Sequence, residues 1–200
     1  MHRIINFRLL SFAAALFLLA ACGPSRQTTV DYETAAATSV SFNKLMVFAQ
    51  VEDSFNRRMI EVGIAHALQQ RGMNAHSTYR TIAGPKDSTA TALVQNVLKQ
   101  RADGLLLLTN VKDAPTTAAP TAFGLINFGT TIPLTGGITQ NDVLHIEASL
   151  YRLGATQNLW RMDFSQRVGD NIKLLGDAID TAVVNGLMSS GVVRNKKRSR

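Results

Sequence analysis

A strict alternation of apolar and polar residues in two consecutive segments, 142–153 and 159–168, constrains the fold more than any other feature of the sequence. Successive side chains of a β-strand point to opposite faces, so a period of two identifies two strands that each bury one face. Residues 154–158 between them are typical of a turn. We therefore predict an antiparallel hairpin with one apolar face and one solvated face. The apolar face consists of Leu144, Ile146, Ala148, Leu150, Trp160, Met162 and Phe164, and the solvated face of His145, Glu147, Ser149, Tyr151, Arg161, Asp163 and Ser165.

Strand and helix patterns alternate before the hairpin, and one more helix pattern follows it. The further strands are predicted at 44–51, 73–79 and 104–111, and the helices at 54–71, 88–101 and 169–188. Asp53 or Ser54 caps the first helix, and Gly72 stops it. Helices on a sheet bury one apolar stripe. The three stripes are predicted to be Phe55, Met59, Val62 and His66; Leu93, Val94, Val97 and Leu98; and Ile172, Leu175, Ile179, Ala182, Val183 and Leu187.

The element order β-α-β-α-β-β-β-α predicts a single α/β (α+β) domain over residues 42–193. It consists of a mixed sheet of about five strands with three helices covering the sheet. Roughly 150 residues suffice for one well-buried core. Residues 114–141 contain no charged side chain and three prolines, so we predict a long loop there.

The first 21 residues have the layout of a secretory signal peptide. Met1 to Arg8 holds two arginines and no acidic residue, and Leu9 to Ala21 is apolar apart from Ser11. A helix that spans a bilayer needs about 20 apolar residues, so this stretch is too short to stay in the membrane. We predict that residues 1–21 are removed.

The segment Leu19-Ala20-Ala21-Cys22-Gly23 resembles the lipobox of bacterial lipoproteins. The resemblance implies that Cys22, the single cysteine of the chain, becomes the first mature residue and carries fatty acyl chains, palmitate among them. Several acyl chains hold a soluble domain on a bilayer durably. Gly23 resembles the class sorted to the outer membrane, facing the periplasm. Residues 22–41 are then the lipidated cysteine and a flexible tether; the alternative is an ordinary signal peptide with an incidental cysteine.

The net positive charge of +7 comes from the two ends of the chain. Between Cys22 and Val193, fourteen Lys and Arg are balanced by fourteen Asp and Glu, so the folded part is neutral. A nucleic-acid-binding domain would carry a basic face, so no nucleic-acid partner is expected. Residues 194–200 are predicted to be a solvated, disordered basic tail. The alternative is that this tail contacts anionic lipid, lipopolysaccharide phosphates or cell-wall carboxylates.

Element order and a short hairpin signature resemble one group of periplasmic lipoprotein domains. The signature consists of a strand followed by Asp53-Ser54, a helix that ends at Gly72, the segments 148–152 and 159–161, and the closing helix. This order is similar to the TolB amino-terminal domain and the curli-secretion lipoprotein, a group that includes an activator of peptidoglycan synthases and an exopolysaccharide-export lipoprotein. The resemblance implies a non-catalytic scaffold or accessory subunit of an envelope complex for secretion, export or cell-wall assembly. Its implied partners are the membrane through the lipid anchor, envelope proteins and further copies of the chain.

Two functions are open for the uncharged loop 114–141. In the curli-secretion lipoprotein, insertions of this kind form membrane-spanning hairpins, and 122–129 with 132–139 would be two such arms. Membrane strands need about 9 to 11 residues with alternating apolar positions. Each arm here has about eight, and Pro133 interrupts the second. A loop that contacts another protein is therefore favoured.

The sequence lacks the spaced motifs GxSxG, Walker A, GxGxxG, HExxH and the EF-hand loop. We expect no catalytic, cofactor-binding or metal-binding residues and no cofactor. The alternative is a small envelope hydrolase or metal-dependent enzyme that uses the polar face of the 142–168 hairpin. His145, Glu147 and Asp163 would form its cluster. The simpler interpretation is a solvated sheet face with a cross-strand ion pair such as Glu147 with Arg161.

Overall fold

The structure, a computed structural model, describes residues 30–33, 39–82, 84, 89–110, 117–121, 124–128, 130–134, 143–155, 157–168 and 172–194. Its strands are β1 (Val30–Glu33), β2 (Leu45–Ala49), β3 (Ala75–Ser77), β4 (Gly104–Asn110), β5 (Thr117–Thr121), β6 (Gly124–Phe128), β7 (Val143–Arg152) and β8 (Trp160–Arg167). Its helices are α1 (Ser54–Gln70), α2 (Ala90–Lys99) and α3 (Ile172–Ser189). The predicted mixed α/β fold is confirmed, since the five predicted strands and three predicted helices are all present.

Six strands form one mixed sheet in the order β1-β8-β7-β4-β2-β3. β2 is parallel to both β3 and β4, whereas β4 with β7, β7 with β8, and β8 with β1 are antiparallel pairs. The predicted turn places Leu150 opposite Trp160 in the β7–β8 hairpin. It follows that β2, β4 and β8 all run in the same direction.

The helices cover both faces of this sheet. α1 and α3 bury Ile60, Ile64, Ile179 and Val183 against the apolar face of β7 and β8, where the predicted residues Ile146 and Phe164 lie. α2 covers the other face, and its buried residues are Leu93, Val94 and Val97, as predicted. Parallel strands buried on both faces read as continuous apolar runs, which explains the sequence of β4. In the described part of the chain, none of the helices combines the length and apolar character needed to cross a bilayer.

Three strands, β1, β5 and β6, lie where the sequence predicted none. β1 falls inside the segment 22–41 that was predicted to be a tether, and it adds a strand beside β8. Four residues are too few for an alternation to be recognised in a sequence. The predicted loop 114–141 contains the hairpin β5–β6, which forms its own two-stranded sheet and lies against α2. Its strands have five residues each, fewer than the roughly nine that a membrane strand needs.

The predicted buried face of α1 is wrong. Phe55 and Val62 are 60% and 47% exposed, and His66 is also exposed. Asp53 caps the helix as predicted, accepting a hydrogen bond of 2.8 Å from the backbone N–H of Asn56. The face turned to the sheet instead carries Asn56, Arg57, Ile60, Glu61, Ile64, Ala65 and Leu68. The sequence did not identify this face because it carries two charged residues, Arg57 and Glu61, and charged positions are normally assigned to solvent.

The predicted solvated face of the hairpin is likewise wrong for its central residues. Glu147, Ser149 and Tyr151 are each about 1% exposed. Tyr151 packs with the residues that α2 buries, so this side of the sheet is covered as well. His145 and Ser165, closer to the other end of the hairpin, are half-buried. Alternation of polarity therefore marked the strands correctly but did not reveal the second covering layer.

Candidate functional site

The predicted lipid-attachment residue, Cys22, lies outside the described residues, and the first described strand shows where the chain that follows it joins the domain. Val30, the first residue of β1, is eight residues after Cys22. β1 runs antiparallel to β8, with Val30 opposite Phe164 and Glu33 opposite Arg161. The chain from Cys22 therefore joins the sheet at the end where β8 finishes.

We call this end of the sheet the tether end; it is formed by the carboxyl ends of β2, β4 and β8. α1 and α3 both begin there, since α1 follows β2 and α3 follows β8. β7 also begins there, with Val143 opposite Arg167. The uncharged segment 114–141 connects β4 to β7, so it too leaves and rejoins the sheet at the tether end.

The opposite end of the sheet, which we call the distal end, is basic. Asp103 fixes the backbone there, since its carboxylate accepts hydrogen bonds from the N–H groups of Asn43 and Lys44 at 3.1 and 2.9 Å. The chain returns to this end after α3, and the N–H of Arg194 donates to Val40 at 2.7 Å. The predicted basic tail 194–200 thus starts at the distal end; its other residues lie outside the described part. The basic residues of the distal end are Lys44, Arg71, Arg101, Arg152 and Arg194.

The predicted cross-strand ion pair of the hairpin is confirmed. Arg161 Nη2 lies 3.0 Å from Glu147 Oε2 and 3.1 Å from Asp163 Oδ2. Ser149 Oγ donates to Glu147 Oε1 at 2.7 Å. Burial raises the pKa of Glu147 above its usual range, while the Ser149 hydrogen bond and the Arg161 charge act in the opposite direction. Burial of Glu147 and the positive charge of Arg161 therefore act on its pKa in opposite directions, and burial is the larger cause.

His145 does not join this cluster. Its Nδ1 lies 3.0 Å from Ser165 Oγ, its cross-strand neighbour, while Glu147 faces Asp163. Among the residues that the structure describes, no group of three His, Cys, Asp or Glu side chains could hold a metal ion. The three residues of the alternative enzymatic hypothesis are thus divided between two separate polar contacts, and no metal-binding constellation is formed by them.

A second buried ion pair, which the sequence analysis missed, lies beneath α1. Arg57 Nε donates to Glu61 Oε1 at 2.8 Å, and the Ala49 N–H donates to the same oxygen at 3.1 Å. The hydroxyls of Ser77 and Thr78 donate to Glu61 Oε2 at 3.0 and 2.9 Å. An Arg and a Glu four residues apart on one helix were the available signal. Since these bonds tie α1 to β2 and β3, the pair is structural.

The guanidinium of Arg57 makes further hydrogen bonds besides the one to Glu61. Arg57 Nη1 and Nη2 donate to the Ile82 carbonyl at 3.2 Å, and Nη2 also donates to Thr78 at 3.0 Å. The guanidinium carbon lies 4.8 Å from the centre of the Phe48 ring. Neither member of the pair is left with a buried charge that a ligand would have to satisfy.

A groove of ≈ 470 Å³ lies between α1 and α3. The two helices approach closely at Gly63, where an added Cβ would lie 1.7 Å from Asp180 Oδ2. Burial, and secondarily the carboxylate of Asp177, raises the pKa of Asp180 to about 8. The groove is lined by Phe55, Arg58, Met59, Val62, Gly63, Lys173, Gly176, Asp177 and Asp180. The stripe predicted to be core is therefore one wall of an open apolar groove.

No protein-family model matches the chain, and no curated protein sequence matches it. Among solved structures, the PelC dodecamer from Paraburkholderia phytofirmans in space group P6 matches with 12% identity, 84% coverage of this chain, 99% coverage of that chain and a TM-score of 0.47. A substituted PelC dodecamer from the same organism in space group C2 matches with 11% identity, 79% and 96% coverage, and a TM-score of 0.45. No functional argument is drawn from a likeness of this size.

Proposed function

We propose that this chain is a lipoprotein held through Cys22 at the periplasmic side of the outer membrane, and that its α/β domain is a non-catalytic scaffold or accessory subunit of an envelope complex. The observation that carries the proposal is the position of the single cysteine at the end of a signal-like segment. Only a short stretch separates Cys22 from β1, which keeps the folded domain close to the anchored residue.

The polar clusters support a non-catalytic role. Glu61 and Arg57 satisfy each other and the surrounding backbone. Glu147 is engaged by Arg161 and Ser149, and it is buried rather than open to a substrate. Catalytic carboxylates need access to substrate and a partner placed for proton transfer. The described polar side chains of the hairpin instead contact one another and stabilise the sheet.

An accessory subunit binds other proteins, and the tether end and the groove are surfaces that could do so. We propose that the segment 114–141 also contacts a partner protein. We also propose that the chain associates with further copies of itself. Its domain would then belong to the group of the TolB amino-terminal domain and the curli-secretion lipoprotein. Deletion of residues 117–128, which spares the buried Ile132 and Leu134, should reduce capture of partners by crosslinking in intact cells while the domain stays folded. Unchanged capture would refute the contact role of this segment.

Lipidation is tested by growing cells with radioactive palmitate and by measuring the intact mass of the purified chain. We expect label and an acylated amino terminus at Cys22 in the wild type, with the chain in the outer-membrane fraction. The matched variants are Cys22→Ser alone and Cys22→Ser combined with Ser25→Cys, which keeps one cysteine but moves it three positions. Label on the double variant, or an unmodified wild-type chain, would contradict the proposal.

A further inference from the structure

Large exposed apolar side chains gather at the tether end. Among the described residues, Phe55 is 60% exposed, Leu174 50%, Val62 47%, Leu153 39% and Val143 36%. Phe55 and Leu174 lie in the first turns of α1 and α3, and Val143 is the first residue of β7, so all three stand at the tether end. Val62 lines the groove that opens from this end. Only Leu153, after β7, lies at the distal end.

The chain that leads to β1 keeps this end close to whatever holds Cys22. Val30 is eight residues after Cys22, so eight Cα–Cα steps join the two. Fully extended they reach at most about 28 Å, and as a flexible coil they average about 16 Å. The tether predicted from the sequence, residues 22–41, is more than twice as long, because β1 was not recognised. With the shorter tether, the tether end is the part of the domain nearest to the anchored residue.

The charges at the tether end are mixed and permit contact with a lipid surface. Arg58 lies on α1 and Lys173 on α3, each beside an exposed apolar side chain, and long basic side chains can place their charges among headgroups while their stems stay apolar. Arg167 adds a third positive charge, and Arg80, which follows the carboxyl end of β3, adds a fourth. The acidic residues of this end are Glu52, Asp53 and Asp177, and Asp180 is largely protonated at neutral pH because burial raises its pKa to about 8. The balance is near neutral, so the apolar residues should dominate the contact.

We propose that the tether end rests on the bilayer leaflet that holds the lipid anchor, with Phe55, Leu174 and Val143 at the boundary between headgroups and acyl chains. This inference rests on the proposed lipidation of Cys22. It assigns the two ends of the sheet opposite directions: the uncharged segment 114–141 leaves the sheet next to the membrane, and the basic distal end, which includes Arg194, faces away from it. In this orientation the start of the basic tail lies far from the leaflet that holds the anchor. Contact of the tail with cell-wall carboxylates is then favoured over contact with lipid of that leaflet.

Single-cysteine labelling tests this orientation in the full lipidated chain. An acylated Cys22 has no free thiol, so Phe55→Cys, Leu174→Cys and Leu153→Cys would each offer one site for an environment-sensitive fluorophore. The variants are purified in detergent and reconstituted into vesicles of phosphatidylethanolamine and phosphatidylglycerol, with and without a quencher attached to the lipid acyl chains. All three positions are exposed, so the substitutions should leave the fold intact.

We expect blue-shifted emission and quenching by the lipid-borne quencher at positions 55 and 174, and neither effect at position 153. Equal exposure to water at all three positions, or quenching at 153 alone, would overturn the proposal. Shielding at 55 without quenching by lipid would mean that a second copy covers this surface, which also overturns it. Two fluorophores per chain would show that Cys22 is free, and this result would contradict the lipidation and not the orientation.

Binding strength gives a second readout that does not need the anchor. For the mature chain with Cys22→Ser, Phe55→Ser should weaken partitioning onto the same vesicles about fivefold, since roughly half of a large apolar side chain loses its burial in lipid. Leu153→Ser, the matched control at the distal end, should leave partitioning unchanged. Equal effects of the two substitutions would refute a surface centred on the tether end.

Discussion

Replacement of Asp180 by Asn tests how α1 and α3 pack. Asp180 Oδ2 faces the gap left by Gly63, and Oδ1 is buried with no hydrogen-bond partner among the described residues. Burial, and then the charge of Asp177, raises the pKa of Asp180 to about 8. Asparagine keeps the shape of the side chain but cannot ionise. The substitution therefore removes the charge without disturbing the close approach of the two helices.

The sign of the pH effect follows from proton binding. An unfolded Asp titrates near pH 3.9, so between about pH 4 and pH 8 the folded chain binds one proton more than the unfolded chain. The free energy of unfolding then falls as pH rises through this window, and it falls no further above pH 8. A shift of four units has a limit of about 5 to 6 kcal/mol. We therefore expect the free energy of unfolding to fall by up to about 5 kcal/mol between pH 4 and pH 8.

Urea denaturation of the mature chain carrying Cys22→Ser, at pH 4, 6 and 8, measures this loss. Trp160, the single and fully buried tryptophan, reports unfolding by fluorescence. Asp180→Asn should match the parent at pH 4 and exceed it by up to about 5 kcal/mol at pH 8. Asp177→Asn is the control: it should retain most of the pH dependence, because burial is the larger cause of the raised pKa. A variant of Asp180 with the same pH slope as the parent, or with lower stability at pH 8, would refute the reasoning.

Two further substitutions test the packing of α1. Gly63→Ala should cost about 2 to 3 kcal/mol of stability, since the new Cβ would overlap Asp180, whereas Gly176→Ala meets only ordinary contact and should be neutral or stabilising. Equal effects of the two alanines in urea denaturation would contradict the close approach. Glu61→Gln should cost about 3 kcal/mol because Arg57 stays buried without a counter-charge. An unchanged denaturation midpoint would show that the pair contributes nothing to stability.

The success and failure of the sequence predictions share one cause. The strand β4 and the apolar residues of β7 and β8 were identified because a buried apolar face leaves a direct imprint on residue order. The face of α1 was misassigned because Arg57 and Glu61, although charged, point to the sheet. Burial of a charged pair depends on hydrogen bonds from Ala49, Ser77 and Thr78, which come from other strands. No local pattern contains that information.

The candidate sites also include features that the sequence predicted and features that it did not. The prediction for Cys22 depends only on its neighbours in the sequence, and the predicted pairing of Glu147 with Arg161 is present as a diagonal contact across the hairpin. The groove could not be predicted, since it requires the exposed side of α1 to lie beside α3 at Gly63, more than a hundred residues away in sequence from Asp180. The separation of His145 from Glu147 also needed the actual side-chain contacts.

By itself the sequence determined the five predicted strands of the main sheet, the three helices, their order and the mixed α/β class, because periodicity and helix caps act over short stretches of chain. Tertiary structure decided which faces are buried, which charges are paired, and that β1 joins the sheet beside β8. These outcomes depend on free energies of contact between segments far apart in the chain, and no short stretch of sequence contains them.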